Sequence, residues 1–476
     1  MDDVSSEVAG RAAQRVVVVG GGPGGYESAL VAAHLGADVT VVDRDGVGGA
    51  AVLTDCVPSK TLISTADFMS RFFAAAGLGV KLAESPEPGE VARADMPTVN
   101  ERVKSLAAAQ SADIAARLER DGVTVVRGTG RLDGPERVVV EGADGTTQTL
   151  DADVVLVSTG ARPRELASAM PDGERILTWQ QVYDVPELPE HVVVVGSGVT
   201  GAEFAHAYLG LGCEVTLVSS RDRVLPGEDP DAAAVIEDVF KRRGMNVLGR
   251  SRAESVVRDG DGVLVTLTDG RTVSASHCVM AVGSVPNTED VGLASAGVAL
   301  SSSGHVQVDS VSRTTARGVY AAGDCTGVLP LASVAAMQGR TAMSHALGDA
   351  VAPLNLRAVA ANIFTDPEIA TVGWSAPALD EAGIGYEAVM LPLATNPRAK
   401  MQNVRDGFVK LFSRSGSGVV LGGVVVAPRA SELIFPVALA VQTKLTVDQV
   451  AASFTVYPSM SGSIAEAARQ LHARPS

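Results

Sequence analysis

Several things are scarce in this 476-residue chain, and each scarcity removes a class of function. It has only four cysteines, Cys56, Cys213, Cys278 and Cys325, whose spacing forms no disulfide framework. That usage suits a reducing cytoplasm. Basic charge is short: 39 Lys and Arg stand against 55 Asp and Glu, a net charge of −16. Nucleic acid and acidic membrane surfaces are therefore poor partners, and neither is expected. No apolar run reaches the ~18 residues of a membrane span, so none is predicted. No metal site is expected. Residues 1–14 are polar, acidic and small, without the basic and apolar regions of a signal peptide, and read as a frayed tail.

What is present points to an α/β protein of several domains. The length predicts two to four cores. The 46% apolar content is that of a globular chain, and 50 glycines suit repeated strand-to-helix turns. Residues 15–19 are a short apolar run, as in a strand buried on both faces. Gly20, Gly22, Pro23 and Gly25 follow in a G-x-G-x-x-G pattern, residues 26–36 read as a helix, and residues 38–43 as a strand ending in Asp43. Strand, glycine turn, helix, strand and acid in register make a dinucleotide fingerprint. Backbone N–H groups at the helix start take a pyrophosphate, and the acid takes a ribose hydroxyl. The pattern then returns. Residues 191–195 lead into Gly196, Gly198 and Gly201, a helix through Leu211, and a strand at 214–218. Two copies argue for two dinucleotides. The second copy ends on Ser219 where the acid would be, with Arg221 and Arg223 just beyond. Losing the acid removes repulsion of a 2′-phosphate and the arginines supply cations, so NADPH should be accepted at least as well as NADH.

Between the copies, residues 57–73 and 97–120 read as helices, and 137–141 with 146–150 as a hairpin. The segment that organises the chain is Gly48-Gly49-Ala50-Ala51-Val52-Leu53-Thr54-Asp55-Cys56-Val57-Pro58-Ser59-Lys60. It resembles the redox-active segment of the flavoprotein disulfide reductases, which reads Gly-Gly-Thr-Cys-x4-Cys-x-Pro-Ser-Lys. Cys56, Pro58, Ser59 and Lys60 match, but Ala51 occupies the first cysteine position. A disulfide needs two sulfurs, so this site cannot cycle between dithiol and disulfide within one chain. Further stretches carry the same resemblance. Residues 158–163 (Ser-Thr-Gly-Ala-Arg-Pro) and 318–324 (Gly-Val-Tyr-Ala-Ala-Gly-Asp) match its flavin domain, 281–287 its pyridine nucleotide domain, and 363–373 the start of its C-terminal interface domain.

The resemblance implies an α/β fold of two Rossmann-like dinucleotide-binding domains plus an α+β C-terminal dimerisation domain. The expected segments are 1–160 and 284–350 for FAD, 161–283 for NAD(P), and 351–476 for the interface. It implies FAD as cofactor, NAD(P)H as substrate and a homodimer. The expected cofactor-binding residues are Gly20, Gly22, Pro23, Gly25, Asp43, Arg44, Gly49, Ala50, Lys60, Gly128, Gly130, Thr159, Gly160, Asp324 and Ala332, and then Gly196, Gly198, Gly201, Glu203, Ser219, Arg221 and Gly283. Glu203 matches the family glutamate that pairs with the lysine, here Lys60, near the flavin.

At the C-terminal site the family has a His acid–base oriented by a Glu, where this chain has Tyr457 and Gly462. Nucleophilic sulfur, base and orienting acid are missing together, while Lys60 and Glu203 remain. Thiol chemistry is thus not the task. The catalytic set is read as Lys60, Glu203, Tyr457 and Cys56. The stretches Gly-Gly-Ala-Ala-Val-Leu and Tyr-Pro-Ser-x-Ser-Gly resemble members of the family that reduce quinones without the disulfide, which implies a flat, two-electron quinone acceptor. Two other readings stand beside it: a soluble pyridine nucleotide transhydrogenase, and a flavin-bearing redox sensor without turnover.

Overall fold

A computed structural model describes residues 13–81 and 92–472. The expected tail at 1–14 lies outside the described residues except for Ala13 and Gln14, which are exposed. The chain divides into two compact units. One comprises residues 1–58, 103–164 and 283–354, the other 59–102, 165–282 and 355–476. The first two of the five changeovers fall inside the Cys56–Phe73 and Met96–Arg120 helices.

In the first unit a five-stranded parallel sheet runs in the order Val319–Ala321, Val154–Val157, Arg15–Val19, Asp38–Asp43, Thr124–Arg127. The central strand explains its own composition. Val16 and Val18 enter the core on one face, Val17 and Val19 the core on the other, so no position is left for a polar side chain. Burying each valine contributes roughly 1.5 kcal/mol or more. The Pro23–His34 helix lies across the Ala332–Ala346 helix, and Gly339 makes this possible: a Cβ there would meet Gly24 O at 2.1 Å. The helix begins at Pro23, three residues before the apolar pattern predicts, because proline fits the first helical turn, where its missing N–H costs nothing. A three-stranded antiparallel sheet, Thr129–Leu132, Arg137–Glu141 and Thr147–Asp151, completes the unit and contains the predicted hairpin.

The second unit repeats this plan. Its parallel sheet runs Asn246–Leu248, Glu214–Val218, His191–Val195, His277–Met280, Ile176–Thr178. A second antiparallel trio follows, Ala253–Asp259, Gly262–Leu267 and Thr272–Ala275. The Val199–Leu211 helix is buried on nearly all sides. The unit also holds a five-stranded antiparallel sheet, Ala360–Ile363, Glu368–Gly373, Val420–Ala427, Phe408–Arg414, Tyr386–Pro392. The Phe435–Thr443 and Gly462–Gln470 helices pack on this sheet around Val425, Val437, Ile464 and Ala467. Lys410 of this sheet, 8% exposed, bonds both oxygens of Asp229 at 2.7 and 2.8 Å, and Asp229 caps the Pro230–Arg242 helix.

Candidate active site

The two glycine turns share one mechanics. Gly20 and Gly196 adopt φ of 101° and 113°. A Cβ at either would lie 2.2 Å from a carbonyl oxygen, that of Ser158 or of Ala281. Gly25 and Gly201 are pressed against the turn itself: a Cβ would stand 1.9 Å from Gly20 O and 1.8 Å from Gly196 O. The middle glycines differ. A Cβ at Gly198 meets nothing within 4 Å, and one at Gly22 only Gly49 Cα at 3.9 Å. Each turn thus presents the start of a helix to open space, bare of side chain, which is the cradle a pyrophosphate requires. The residues present fit two dinucleotides.

Around the first cradle, Asp43 Oδ2 accepts from Gly21 N at 2.6 Å, and its Oδ1 accepts from Asp45 N and Gly46 N at 2.9 and 2.7 Å. A carboxylate offers about four acceptor positions, so Asp43 retains one for a ribose hydroxyl. Arg44 beside it is exposed and pairs with Asp45. Gly49 and Ala50 open the short Gly49–Leu53 helix. A Cβ on Gly49 would reach Gly22 Cα at 2.6 Å, so the segment leading to Cys56 is laid directly on the cradle. Gly128 and Gly130 flank the end of the Thr124–Arg127 strand, where added Cβ atoms would strike Glu141 O and Val19. Thr159 Oγ1 donates to Asn287 O, and Asn287 Nδ2 donates to Thr159 O, which fixes the turn at Gly160. Asp324 follows Gly323 (φ 85°). Burial raises its carboxyl above the ordinary value, Asp55 adds to this, and His305 opposes it. Ala332 begins its helix.

Cys56 stands at the first position of its helix and forms no disulfide among the described residues. Cys213, Cys278 and Cys325 are buried and free. Burial pushes the Cys213 thiol to about 12 and that of Cys325 to about 11, so both are inert packing groups.

In the second unit, Lys60 Nζ lies 2.8 Å from Glu203 Oε2. The Glu203 side chain is 5% exposed and that of Lys60 28%. Glu203 Oε1 accepts from Phe364 N at 2.9 Å, and the ammonium lies 5.1 Å from the centre of the Phe364 ring. Each oxygen of Glu203 is thus engaged, one by a cation and one by a backbone N–H. Ser219 is turned inward, fully buried, with its Oγ 2.6 Å from Ser197 Oγ. Arg221 is exposed beyond it, while Arg223 donates to Pro226 O. Gly283, at φ 95°, has open space where a Cβ would go. Tyr457 is 83% exposed beside Val456 and Phe454, on the rim of a cavity of about 610 Å³ that Thr395, Asn396, Ser459 and Arg469 also line.

Three features escaped the sequence reading. These are the Phe364 N–H on Glu203, the Asp67–His206 hydrogen bond at 2.9 Å, and the Glu27–Arg340 ion pair at 2.8 Å. The last was legible in principle, since Glu27 follows Gly25 by the same two residues as Glu203 follows Gly201. The other two join residues far apart in the chain, and no local pattern marks them.

Two open-faced glycine cradles on twin parallel sheets, with a largely buried ammonium–carboxylate pair in the second unit, suit an oxidoreductase that takes dinucleotides. Comparison with known proteins makes the class specific: the chain belongs to the pyridine nucleotide-disulphide oxidoreductase family, a flavin-dependent family that uses NAD(P)H. The family model matches residues 14–339, and the model of the family's dimerisation domain matches 359–468. A Mycobacterium tuberculosis protein named NAD(P)H dehydrogenase (quinone) is 56% identical over 96% of this chain and 94% of its own length. A dihydrolipoyl dehydrogenase of Zymomonas mobilis is 31% identical, covering 96% of this chain and 98% of that protein. The crystal structure of LpdA from M. tuberculosis superposes with a TM-score of 0.92 at 55% identity, over 97% of this chain and all of that one. Among the described residues no helix is long and apolar enough to cross a membrane.

Proposed function

We propose that the chain is an FAD-dependent NAD(P)H:quinone oxidoreductase that passes electrons to its acceptor without a sulfur relay. The observation that carries this is Cys56. It has Ala51 in place of a partner sulfur, and the other three thiols are core residues, yet the Lys60–Glu203 pair that starts one helical turn away is kept. The name of the 56% identical relative supports a quinone over other acceptors.

When bound, FAD supplies two-electron chemistry between nicotinamide and acceptor. The first cradle, with Asp43 and Asp324, would hold it, and the second cradle would hold NAD(P)H. Lys60 supplies a fixed positive charge for the negative charge that hydride transfer creates, and Glu203 orients it. Ser219 leaves out the acid that would repel a 2′-phosphate, and exposed Arg221 offers it a cation, so NADPH is used at least as well as NADH. Tyr457 presents a phenol that can stack on a flat acceptor or donate to its carbonyl. The protein works as a homodimer in the cytoplasm through the 351–476 segment, with 1–160 and 284–350 as the flavin segments and 161–283 as the nucleotide segment.

The test is a stopped-flow oxidative half-reaction. Enzyme reduced beforehand is mixed with a naphthoquinone, lipoamide, a thio-NAD analogue or oxygen. The quinone should reoxidise it fastest. Faster reoxidation by the nucleotide analogue would establish a transhydrogenase, and turnover of lipoamide would overturn the reading altogether. Absence of reduction by NADPH would leave a sensor.

A further inference from the structure

The Val199–Leu211 helix carries an acid and an imidazole, Glu203 and His206, at 3% and 0% exposure in an otherwise apolar setting. Polar groups so buried need partners. Both partners come from one neighbouring helix, Cys56–Phe73. Lys60 meets Glu203 at 2.8 Å, and Asp67 Oδ1 meets His206 Nε2 at 2.9 Å. Positions 60 and 67 lie two turns apart on one face of their helix, and 203 and 206 share a face of theirs. The same seam continues to Gly210, where a Cβ would lie 3.0 Å from Ala66 O and from Ser70 Oγ. Small residues thus bring the helices close, and two polar bonds fix how far one can slide along the other. Among the described residues His206 Nδ1 has no hydrogen-bond partner, and the ring stacks on Phe240 with centroids 6.4 Å apart and planes 10° apart. The imidazole is therefore held flat and makes a single directional bond, the one to Asp67.

We propose that Asp67 and His206 are positioning residues for the Lys60–Glu203 pair. Their hydrogen bond sets the register of the two helices in which Lys60 reaches Glu203, and in which Glu203 Oε1 receives Phe364 N. The proposal rests on the role given above to Lys60 and Glu203.

The experiment uses the full chain, loaded with flavin and flavin-free. His206→Leu removes the bond, Asp67→Asn removes its charge, and His206→Gln keeps a side-chain donor. Two quantities are read: the limiting rate of flavin reduction by NADPH with its apparent Kd, and hydrogen exchange of the Phe364 amide in the flavin-free protein against amides of the His191–Val195 strand. Losing a hydrogen bond to a charged group should speed Phe364 exchange about tenfold and slow the limiting rate by about tenfold, with Kd changed by less than about twofold. His206→Gln should restore most of both. Adding Lys60→Met to His206→Leu should cost little more than Lys60→Met alone, because both act on one unit. Unchanged Phe364 exchange and rate, with only a lower melting temperature, would assign the pair to packing and overturn the proposal. Should His206→Leu fail to fold, Asp67→Ala, which leaves His206 Nε2 without this acceptor, decides by the same two readings, the Asp67 side chain being 25% exposed. A Lys60→Met enzyme of full rate would sink the reading of Lys60 separately, and Phe364 exchange would still judge the positioning.

Discussion

The two βαβ copies are built on the same backbone device and differ in what surrounds it. In each, the first glycine takes a positive φ against a neighbouring carbonyl, the third is pinned on the first, and a glutamate follows the third by two residues. Glu27 pairs with Arg340, whose side chain is 48% exposed. Glu203 pairs with Lys60, 28% exposed, and gives its other oxygen to Phe364 N. The first strand pair ends in an acid that braces the turn, whereas the second ends in a buried serine. One backbone device therefore serves both copies, while the side chains around it differ, and with them the setting of the neighbouring ion pair: Glu27–Arg340 is half open to solvent, and Lys60–Glu203 is largely buried.

The largest effect should come from filling the third glycine. Gly25→Ala and Gly201→Ala each drive a Cβ to less than 2 Å from a carbonyl oxygen that no side-chain rotation can move. The cost should reach the upper end of the ~1–3 kcal/mol typical of overpacking, about a hundredfold in affinity. Gly25→Ala should purify without flavin absorbance. Gly201→Ala should keep its flavin and lose saturable NADPH binding. If the two phenotypes came out exchanged, the assignment of the copies would be reversed.

Next in size is the contrast between the ion pairs. Lys60→Met leaves Glu203 buried with an unpaired charge. The loss should be about 2 kcal/mol, below the ~3–5 of a fully buried pair because Lys60 is partly exposed. Flavin reduction should slow by more than about tenfold. Arg340→Met removes a pair open to solvent and should cost at most ~1 kcal/mol, leaving the reduction rate unchanged. Thermal melts and single-turnover kinetics of the two variants check this, and equal effects would erase the distinction. A smaller change tests the strand ends. Arg221→Ala should raise the KM for NADPH about fivefold by loss of one charge-assisted contact and leave that for NADH unchanged. A parallel rise for both nucleotides would take Arg221 out of phosphate recognition.

Much of this is legible in the sequence, for physical reasons that vary by element. The Arg15–Val19 and His191–Val195 strands announce themselves because a strand buried on both faces admits only apolar residues. The glycine turns are legible because no other residue can occupy them. Ala51 shows directly that one chain cannot form the family disulfide. The exact helix starts were less clear: Pro23 and Met96 each begin their helices ahead of the apolar pattern, since a helix's first turn is set by capping and proline rather than by burial. The Asp67–His206 and Glu203–Phe364 bonds were invisible because they depend on how distant segments pack. The buried Ser219 hydroxyl shows the same limit. Sequence marks the missing acid, but only the fold shows the serine turned inward to Ser197.

The smallest expected effect sets the two units in opposition through pH. In the second unit, burial first, then the Arg175 and Arg258 charges, lower His277 from 6.5 to about 4, with Asp172 opposing; its Nε2 lies 3.1 Å from Arg175. The unfolded chain then binds a proton that the fold refuses. Stability from this group is full above pH 6.5 and is lost as pH falls toward about 4. In the first unit Asp324 shifts the other way, its carboxyl raised above 3.8 by burial and by Asp55. Here the fold holds a proton that the unfolded chain releases, so stability is full below 3.8 and declines as pH rises through the raised value. Melting curves of the flavin-free protein across this range should show both slopes. His277→Gln, which can still accept from Arg175, should flatten the acid-side decline by a few degrees and leave neutral pH untouched. Asp324→Asn should raise the melting temperature at neutral pH and not in acid. Should both substitutions act on the same side of neutrality, the two units would not be titrating in opposite senses, and the burial of Asp324 would not be what limits the stability of its unit.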